Sequence, residues 1–417
     1  MSVSSGIPMA RADSAKNISF VAYSDQGGRP DGVQVIVHKG FSYVGHMFSD
    51  GFSVLDVRDP RKPEAVAFVP MPKNTRSHHL QVANDLLLAI NGPSIWTLAQ
   101  FRDQSKYFAS TLTTSFKDGE LAFAAGVRIY DISVPSAPRA IAFLEIPGLG
   151  VNRIWWTGGR YAYVAVHEQG YTDHVMAVID LSVPERPAIV SRWWLPGQWS
   201  AGGEQSELPK GKRHAAHHAI VAGDFAYGAW RDGGITIHNI RDLFNPVMIS
   251  HSNWSPPFTG GTHTALPLPE RNLLVVADEA TTVNCANGVP RIWVVDIRCP
   301  ESPVPISTLP VPREIDYCNK GGKFGPHNLH ENRPGSFQSS DIVFATYLNA
   351  GVRAYDLRDP FQPTELAHYV PPSPARMVDS RPNAPAVVQS GDLFVDKEGL
   401  IYLTDPNAGL HILQFDG

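Results

Sequence analysis

The chain has 417 residues and a net charge of −5, from 35 Lys and Arg against 40 Asp and Glu. Glycine and proline contribute 35 residues each, 43 % of the residues are apolar and 18 % are charged. The apolar fraction excludes a disordered chain, and the glycine and proline content excludes long helices, which both residues interrupt. The charge balance offers no basic excess for a nucleic-acid partner.

The N-terminal segment, Met1 to Pro8, lacks the basic stretch and apolar run of a secretory signal. No apolar segment approaches the ~18 residues of a membrane helix, and residues 1–15 are predicted to be a disordered N-terminus. The three cysteines, Cys285, Cys299 and Cys318, are too few and too clustered for a disulfide framework. These features predict a cytoplasmic protein that does not associate with a membrane.

A short motif recurs along the chain, in which an apolar strand ends in Asp or Asn and runs into a proline-containing loop. The copies begin at Val54, Ile129, Val178, Ile237, Val294 and Ala354, and a degenerate seventh copy is His411–Phe415. The aligned Asp, Asn or Gln residues are spaced by 75, 49, 59, 57, 60 and 58 residues. A nearly constant period of this length predicts structural repeats that stack on one another.

Each repeat carries four strand signals. In the second repeat these are Leu80–Ala83, Leu86–Ile90, Val127–Asp131 and Ala140–Leu144. Seven such units predict an all-β, seven-bladed β-propeller with four antiparallel strands per blade, a single domain over residues 16–417. Long connections near residues 92–122 and 198–213 are predicted to be insertions of the kind that cover a site.

Aligning the innermost strands by their apolar pattern brings histidines into register. The residue before this strand is polar in every unit: Gln34, His79, Arg153, His218, His263, His327 and Asp392. The first residues of the inner strands converge on the central channel of a propeller. Because imidazoles from different strands can enclose a divalent ion, the predicted metal ligands are His79, His218, His263 and His327. Imidazole leaves the metal open among zinc, manganese and iron, with copper less favoured.

Further polar side chains are predicted at the same face of the channel. A carboxylate beside a metal can act as a general base, and the candidates are Glu168, Glu279 and Glu331. Arginine matches a carboxylate through two parallel hydrogen bonds, so Arg153 and Arg231 are predicted to orient a carboxylated substrate. Tyr347 is the candidate proton donor.

Two strings, Val178-Ile-Asp-Leu and Leu55-Asp-Val-Arg-Asp-Pro, resemble the bacterial LVIVD-repeat β-propeller family. The most specific match is residues 347–360, Tyr-Leu-Asn-Ala-Gly-Val-Arg-Ala-Tyr-Asp-Leu-Arg-Asp-Pro. The resemblance covers nearly the whole chain from about residue 30 and implies a propeller fold. Because the family is functionally ill-defined, the resemblance implies no catalytic residues for this chain.

The combination of histidines, carboxylates and arginines at one face favours an enzyme. We expect a metal-dependent lyase or hydrolase that acts on a small, oxygen-rich, carboxylated molecule. Two alternatives stay open: a copper- or iron-dependent oxidoreductase at the same histidines, and a non-enzymatic propeller that binds a protein partner on one face. The expected partner is therefore a small-molecule substrate, and the sequence leaves a homo-oligomer open.

Overall fold

The computed structural model describes residues 11–97, 107–108, 122–206, 211–255, 257–381 and 384–417. These residues form 29 β-strands, short 3₁₀ helices at Ile95–Thr97, Ser200–Gly202 and Pro269–Arg271, and a one-turn α-helix at Tyr317–Lys320. All of the strand pairs in the described part of the chain are antiparallel, and in most of them a short loop joins two strands that are consecutive in the chain.

Three sheets are built from consecutive strands. The first contains β3 (Gly32–His38), β4 (Phe41–His46), β5 (Gly51–Asp56) and β6 (Glu64–Pro70). The second contains β7 (Thr75–Arg76), β8 (Leu80–Ala83), β9 (Leu86–Pro93), β10 (Gly126–Asp131) and β11 (Arg139–Glu145). The third contains β12 (Gly148–Trp155), β13 (Tyr161–Glu168), β14 (Val175–Asp180) and β15 (Ala188–Trp193). Strands β8 to β11 are the four strands that the sequence predicts for the second repeat.

The next sheet has eight strands in two halves. The first half is β16 (His214–Ala222), β17 (Phe225–Arg231), β18 (Ile235–Asn239) and β19 (Val247–Ser252). The second half is β20 (Gly261–Leu268), β21 (Leu273–Glu279), β22 (Ile292–Asp296) and β23 (Val304–Thr308). A single residue pair, Arg231 with Thr262, joins the two halves.

The N-terminal strands complete the last two sheets. One sheet contains β24 (Ile342–Thr346), β25 (Val352–Asp356), β26 (Thr364–Val370) and β1 (Ser14–Lys16). The other contains β27 (Asp392–Val395), β28 (Leu400–Asp405), β29 (Gly409–Phe415) and β2 (Ile18–Ser24). Strand β1 begins at Ser14, which pairs with Val370. It therefore starts within residues 1–15, the segment that the sequence predicts to be disordered. Residues 1–10 lie outside the described part of the chain.

The hydrophobic core is shared between neighbouring sheets. Val54 of β5, Leu80 of β8 and Ile412 of β29 are fully buried in one cluster, although they belong to three different sheets. Burial of a side chain of this size contributes about 1.5–3 kcal/mol relative to exposure. Packing sheet against sheet in this way holds the starts of the innermost strands in fixed positions, and the result is an all-β, propeller-like fold.

Two cysteines depart from the sequence-based expectation. Cys285 and Cys318 form a disulfide, while Cys299 is exposed and free. The two bonded cysteines are 33 positions apart in the sequence. They can pair because the loop after β21 and the loop after β23 lie side by side. Among the described residues, no helix is long and apolar enough to cross a membrane.

The two predicted insertions are described only in part. Residues 98–106 and 109–121 of the first insertion, and 207–210 of the second, lie outside the described residues. The described part of the first insertion includes Tyr107 and Phe108, which pack with Trp96 into a small aromatic cluster. All three residues of this cluster line the central cavity.

Candidate active site

A cavity of about 700 Å³ lies where the innermost strands of the sheets begin. Every sheet contributes to its wall, mostly at or just before its innermost strand. The exception is His327, which lies before β24 in a segment whose Leu329 pairs with Ala345. The contributing residues are Val33, His78, His79, Asn152, His217, His263, His327 and Gly391. The convergence that the sequence predicts is therefore present, although four of these positions precede the predicted residues by one.

The difference of one residue arises from β-bulges at the starts of the innermost strands. The pairing register shifts between Gly32 and Val35, between Val151 and Arg153, and between His214 and His218. A bulge inserts an extra residue and redirects the neighbouring side chains. Consequently Val33, Asn152 and His217 line the cavity, where the sequence alignment places Gln34, Arg153 and His218.

Two buried side chains and one partly buried side chain in this wall are arranged so that they could hold a metal ion. The ligand atoms of His263, Glu279 and His327 lie within 4.8 Å of one another. The Nε2 atoms of both histidines are 3.9 Å from the Glu279 carboxylate oxygens. Two of the four predicted ligands, His263 and His327, therefore lie together, and Glu279 joins them.

Backbone carbonyls fix the tautomers of two cavity histidines. Nδ1 of His327 donates a hydrogen bond to the carbonyl of Gly391 at 2.5 Å, and Nδ1 of His217 donates to the carbonyl of His263 at 2.8 Å. A carbonyl only accepts, so the proton of each neutral ring is on Nδ1 and the lone pair on Nε2 is free. Burial lowers the pKa of His327 to about 4 and that of His263 well below its usual value, so both rings are neutral at pH 7. Neutral imidazole with an oriented partner is the form that binds metals.

Glu279 is ionised although it is buried. Burial raises its pKa, but the charges of Arg231 and Lys323 outweigh this effect and hold the pKa at about 2. Arg231 donates a hydrogen bond to one carboxylate oxygen, and Lys323 Nζ lies 3.8 Å from the other. Glu279 and Arg231, both predicted from the sequence, thus form an ion pair at the cavity wall.

The other two predicted ligands occupy different environments. His79 lines the cavity, but its Nδ1 accepts a hydrogen bond from Arg153 at 3.3 Å, so its Nε2 carries the proton and acts as a donor. His218 lies outside the cavity lining, with Nε2 3.5 Å from Glu331. In this arrangement neither ring presents a free lone pair beside Glu279.

Most of the remaining candidate residues are engaged elsewhere. Glu331 is ion-paired with Arg153 at 2.8 Å, and both side chains are buried outside the cavity lining. Glu168 forms a partly exposed ion pair with Arg192. The hydroxyl of Tyr347 is buried without a hydrogen-bond partner, and burial raises its pKa, so it is a poor proton donor. The structure therefore does not bring Glu168, Glu331, Arg153 or Tyr347 to the cavity.

Sequence reasoning missed several cavity residues. Arg76 and Lys323 carry positive charge, and Trp96, Tyr107 and Phe108 form an aromatic wall. Arg76 lies only three residues before His79, which is the signal that could have drawn attention to it. The aromatic residues lie in the first insertion, where the repeat pattern gives no register.

The fold and the channel cavity together define a β-propeller protein. Residues 152–193 match the family model of the LVIVD repeat, which confirms the resemblance seen in the sequence. A functionally unknown protein from Desulfotomaculum acetoxidans has a similar structure, with a TM-score of 0.51 and 9 % identity over 81 % of this chain and 85 % of that chain.

Two further solved structures are similar. The β-propeller domain of Cps50 (Swd1) from Myceliophteria thermophila has a TM-score of 0.53 and 10 % identity, over 92 % of this chain and 97 % of that one. The WD40 β-propeller domain of Doa1 has a TM-score of 0.53 and 9 % identity, over 95 % and 97 % of the two chains. Identities this low show the fold alone. None of the curated proteins matches the sequence.

Proposed function

We propose that this protein is a metal-dependent enzyme, a lyase or a hydrolase, that acts on a small, oxygen-rich, carboxylated substrate in the central cavity. The observation that carries the proposal is the group of His263, Glu279 and His327, whose ligand atoms converge beside a cavity of about 700 Å³. Two histidines and one glutamate form the ligand set of several catalytic zinc sites, in which a further position stays open for water or substrate. Manganese and iron remain alternatives to zinc.

The surrounding side chains suit this chemistry. A divalent ion at this position would polarise a substrate carbonyl or activate water. The Nε2–H of His79 would donate a hydrogen bond to an oxygen atom that gains negative charge. Arg231 and Lys323, which share the charge of Glu279, would be released to bind substrate oxygen atoms when the carboxylate binds a cation.

Elemental analysis of protein purified without a nickel column tests this proposal. We expect close to one metal ion per chain in the wild type, and less than about 0.2 per chain in His263→Ala and His327→Ala. His218→Ala is the matched control, because this histidine is buried but lies outside the cavity lining. A wild-type protein that stays below about 0.2 metal ions per chain after incubation with zinc, manganese and iron would refute the proposal.

A copper- or iron-dependent oxidoreductase is the second candidate. It is favoured by the same three residues, because two histidines and one carboxylate also hold iron in non-haem oxygenases. An absorption band or paramagnetic signal from the metal-loaded protein would support this candidate, and a colourless zinc or manganese protein would count against it. A non-enzymatic propeller is the third candidate, and it predicts that His79→Ala and His263→Ala bind as much metal as the wild type.

We also infer that the sheets are seven blades. Five sheets and the two halves of the eight-stranded sheet make seven units, which agrees with the seven repeats of the sequence.

The cytoplasmic location stays a prediction, and the Cys285–Cys318 disulfide weighs against it, because disulfides persist mainly in oxidising compartments. A crystal structure tests the blade number, and thiol counting on protein trapped with an alkylating agent during cell lysis tests the compartment.

A further inference from the structure

Arg76 is a buried cation in the cavity wall. The residue is 2 % exposed and belongs to the two-residue strand β7. Its Nη2 lies 3.4 Å from the Asn152 side-chain oxygen, it is close to Tyr107, and its Nε has no hydrogen-bond partner. Among the described residues, no Asp or Glu forms an ion pair with it.

The other arginines near the channel, buried or partly buried, differ from Arg76 in this respect. Each of them has a carboxylate partner: Arg153 and Arg333 with Glu331, Arg213 with Asp173, Arg231 with Glu279, and Arg381 with Asp379. A buried charge without a partner costs free energy, because it loses its hydration and gains no Coulombic attraction. Arg76 is thus the described cavity arginine that has no carboxylate to neutralise it.

The surroundings of Arg76 favour an anion. Burial, together with the charge of Arg76, lowers the pKa values of His78 and His174, so these neighbours are neutral and the positive charge here is that of Arg76. An anion that entered the cavity would gain Coulombic attraction from a guanidinium that no carboxylate of the described residues neutralises. Because a guanidinium presents two parallel donors, it matches a carboxylate well.

An aromatic wall stands beside this charge. The rings of Trp96 and Tyr107 are 4.6 Å apart, those of Tyr107 and Phe108 are 5.1 Å apart, and all three residues line the cavity. Aromatic side chains favour contacts with flat apolar groups at ring distances of this order. The cavity therefore combines the positive charge of Arg76, which could bind a carboxylate, with an aromatic surface that could contact a flat apolar group of the same ligand.

We propose that Arg76 anchors the carboxylate of the ligand, and that the ligand is a small carboxylic acid that carries an aromatic or similarly flat apolar group. The identification of this ligand with the substrate rests on the proposed function. The anion site itself does not require the metal, since Arg76 is not one of the candidate ligands.

Calorimetric titration of the chelator-treated protein with benzoate, benzamide and acetate tests the inference. Benzoate should bind at least about ten-fold more tightly than either benzamide, which lacks the charge, or acetate, which lacks the ring. Arg76→Met should weaken benzoate binding by at least about ten-fold, and Arg76→Lys by less, because lysine keeps the charge but not the paired donors. The matched control is Arg192→Met, which removes an arginine that is paired with Glu168 outside the cavity lining and should change benzoate binding less than about three-fold.

The stability of Arg76→Met separates a binding role from a structural one. If Arg76 serves the ligand, the free protein should unfold at the same or a higher denaturant concentration after the substitution, since an unpaired buried charge is removed. Equal binding of benzoate and benzamide by the wild type, unchanged benzoate binding in Arg76→Met, or a destabilised Arg76→Met protein would each overturn the inference. Benzoate binding without any metal binding would refute the proposed enzyme alone, and metal binding without benzoate binding would refute the Arg76 site alone.

Discussion

The rings of His217 and His263 pack with centroids 3.6 Å apart and planes tilted by 32°, and Nδ1 of His217 donates a hydrogen bond to the carbonyl of His263 at 2.8 Å. These contacts hold both rings in one orientation at the cavity wall. Because Nδ1 of His217 keeps its proton, the lone pair on its Nε2 is free. His217 thereby packs against His263, which is one of the three candidate ligands.

The first prediction concerns this pair. His217→Ala should lower the metal affinity by about 10–100-fold, the usual effect of removing a side chain that orients a ligand. Competition with a chelating dye measures the affinity. The neighbouring substitution His218→Ala should leave the affinity unchanged, and an equal loss in both variants would contradict the assignment.

The second prediction concerns the buried carboxylate below the cavity wall. Glu331→Gln should destabilise the protein by about 3–5 kcal/mol, because it leaves Arg153 and Arg333 buried without their shared carboxylate. Glu168→Gln should cost no more than about 1 kcal/mol, since the pair of Glu168 with Arg192 is partly exposed. Denaturant titration compares the two variants, and similar losses would show that the Glu331 network is not buried as described.

The third prediction is a pH dependence at Asp31. Burial raises the pKa of Asp31, but the hydrogen bonds from His46, Ser49 and Phe48 outweigh it and lower the pKa to about 2. The ionised form is therefore favoured in the folded protein, and the stabilisation is present above the unfolded pKa of about 3.9 and lost as the pH falls towards 2.

Asp31→Asn should consequently lose about 2 kcal/mol of stability at pH 7, and the loss should shrink as the pH falls below about 5. Unfolding curves measured from pH 7 down to pH 3 would show this trend. Asp416→Asn, at an exposed position, serves as the control. A loss that stays constant across this range would mean that the ionisation of Asp31 is not responsible.

The fourth prediction concerns the disulfide between the two loops beside the cavity. Replacing both Cys285 and Cys318 with Ser should destabilise the protein by about 3–4 kcal/mol, since a link across 33 residues restricts the unfolded chain. Thermal unfolding under non-reducing conditions measures the change. Cys299→Ser alters an exposed free thiol and should have no effect, and a double variant as stable as the wild type would contradict the prediction.

The repeat made the fold predictable from the sequence. The copies at Val54, Val178 and Val294 form the third strands of their units, β5, β14 and β22, because an apolar run ending in Asp suits a buried strand that leads into a turn. The predicted strands of the second repeat also correspond to β8 to β11. Periodicity carries this information, since every unit buries the same face against its neighbour.

The site was less predictable because its register depends on bulges. A bulge adds one residue to a strand, and the apolar pattern by which the innermost strands align does not reveal it. His217 and Asn152 therefore line the cavity, where the pattern favours His218 and Arg153. His263 and His327 do line the cavity. The partner of each charged group, such as Glu331 for Arg153, depends on contacts between distant units, and a single sequence does not record these contacts.

The pairing of β2 with β29 places Ile18 opposite Phe415, so this sheet joins strands that are nearly 400 residues apart in the sequence. A ribosome that synthesises this chain releases β2 long before β29, and the earlier strand must wait for its partner. Contacts between such distant residues slow folding, because closing a long loop costs chain entropy before any contact forms. The sheet that holds Gly391 of the cavity wall beside β27 is therefore completed only after β29 has been made.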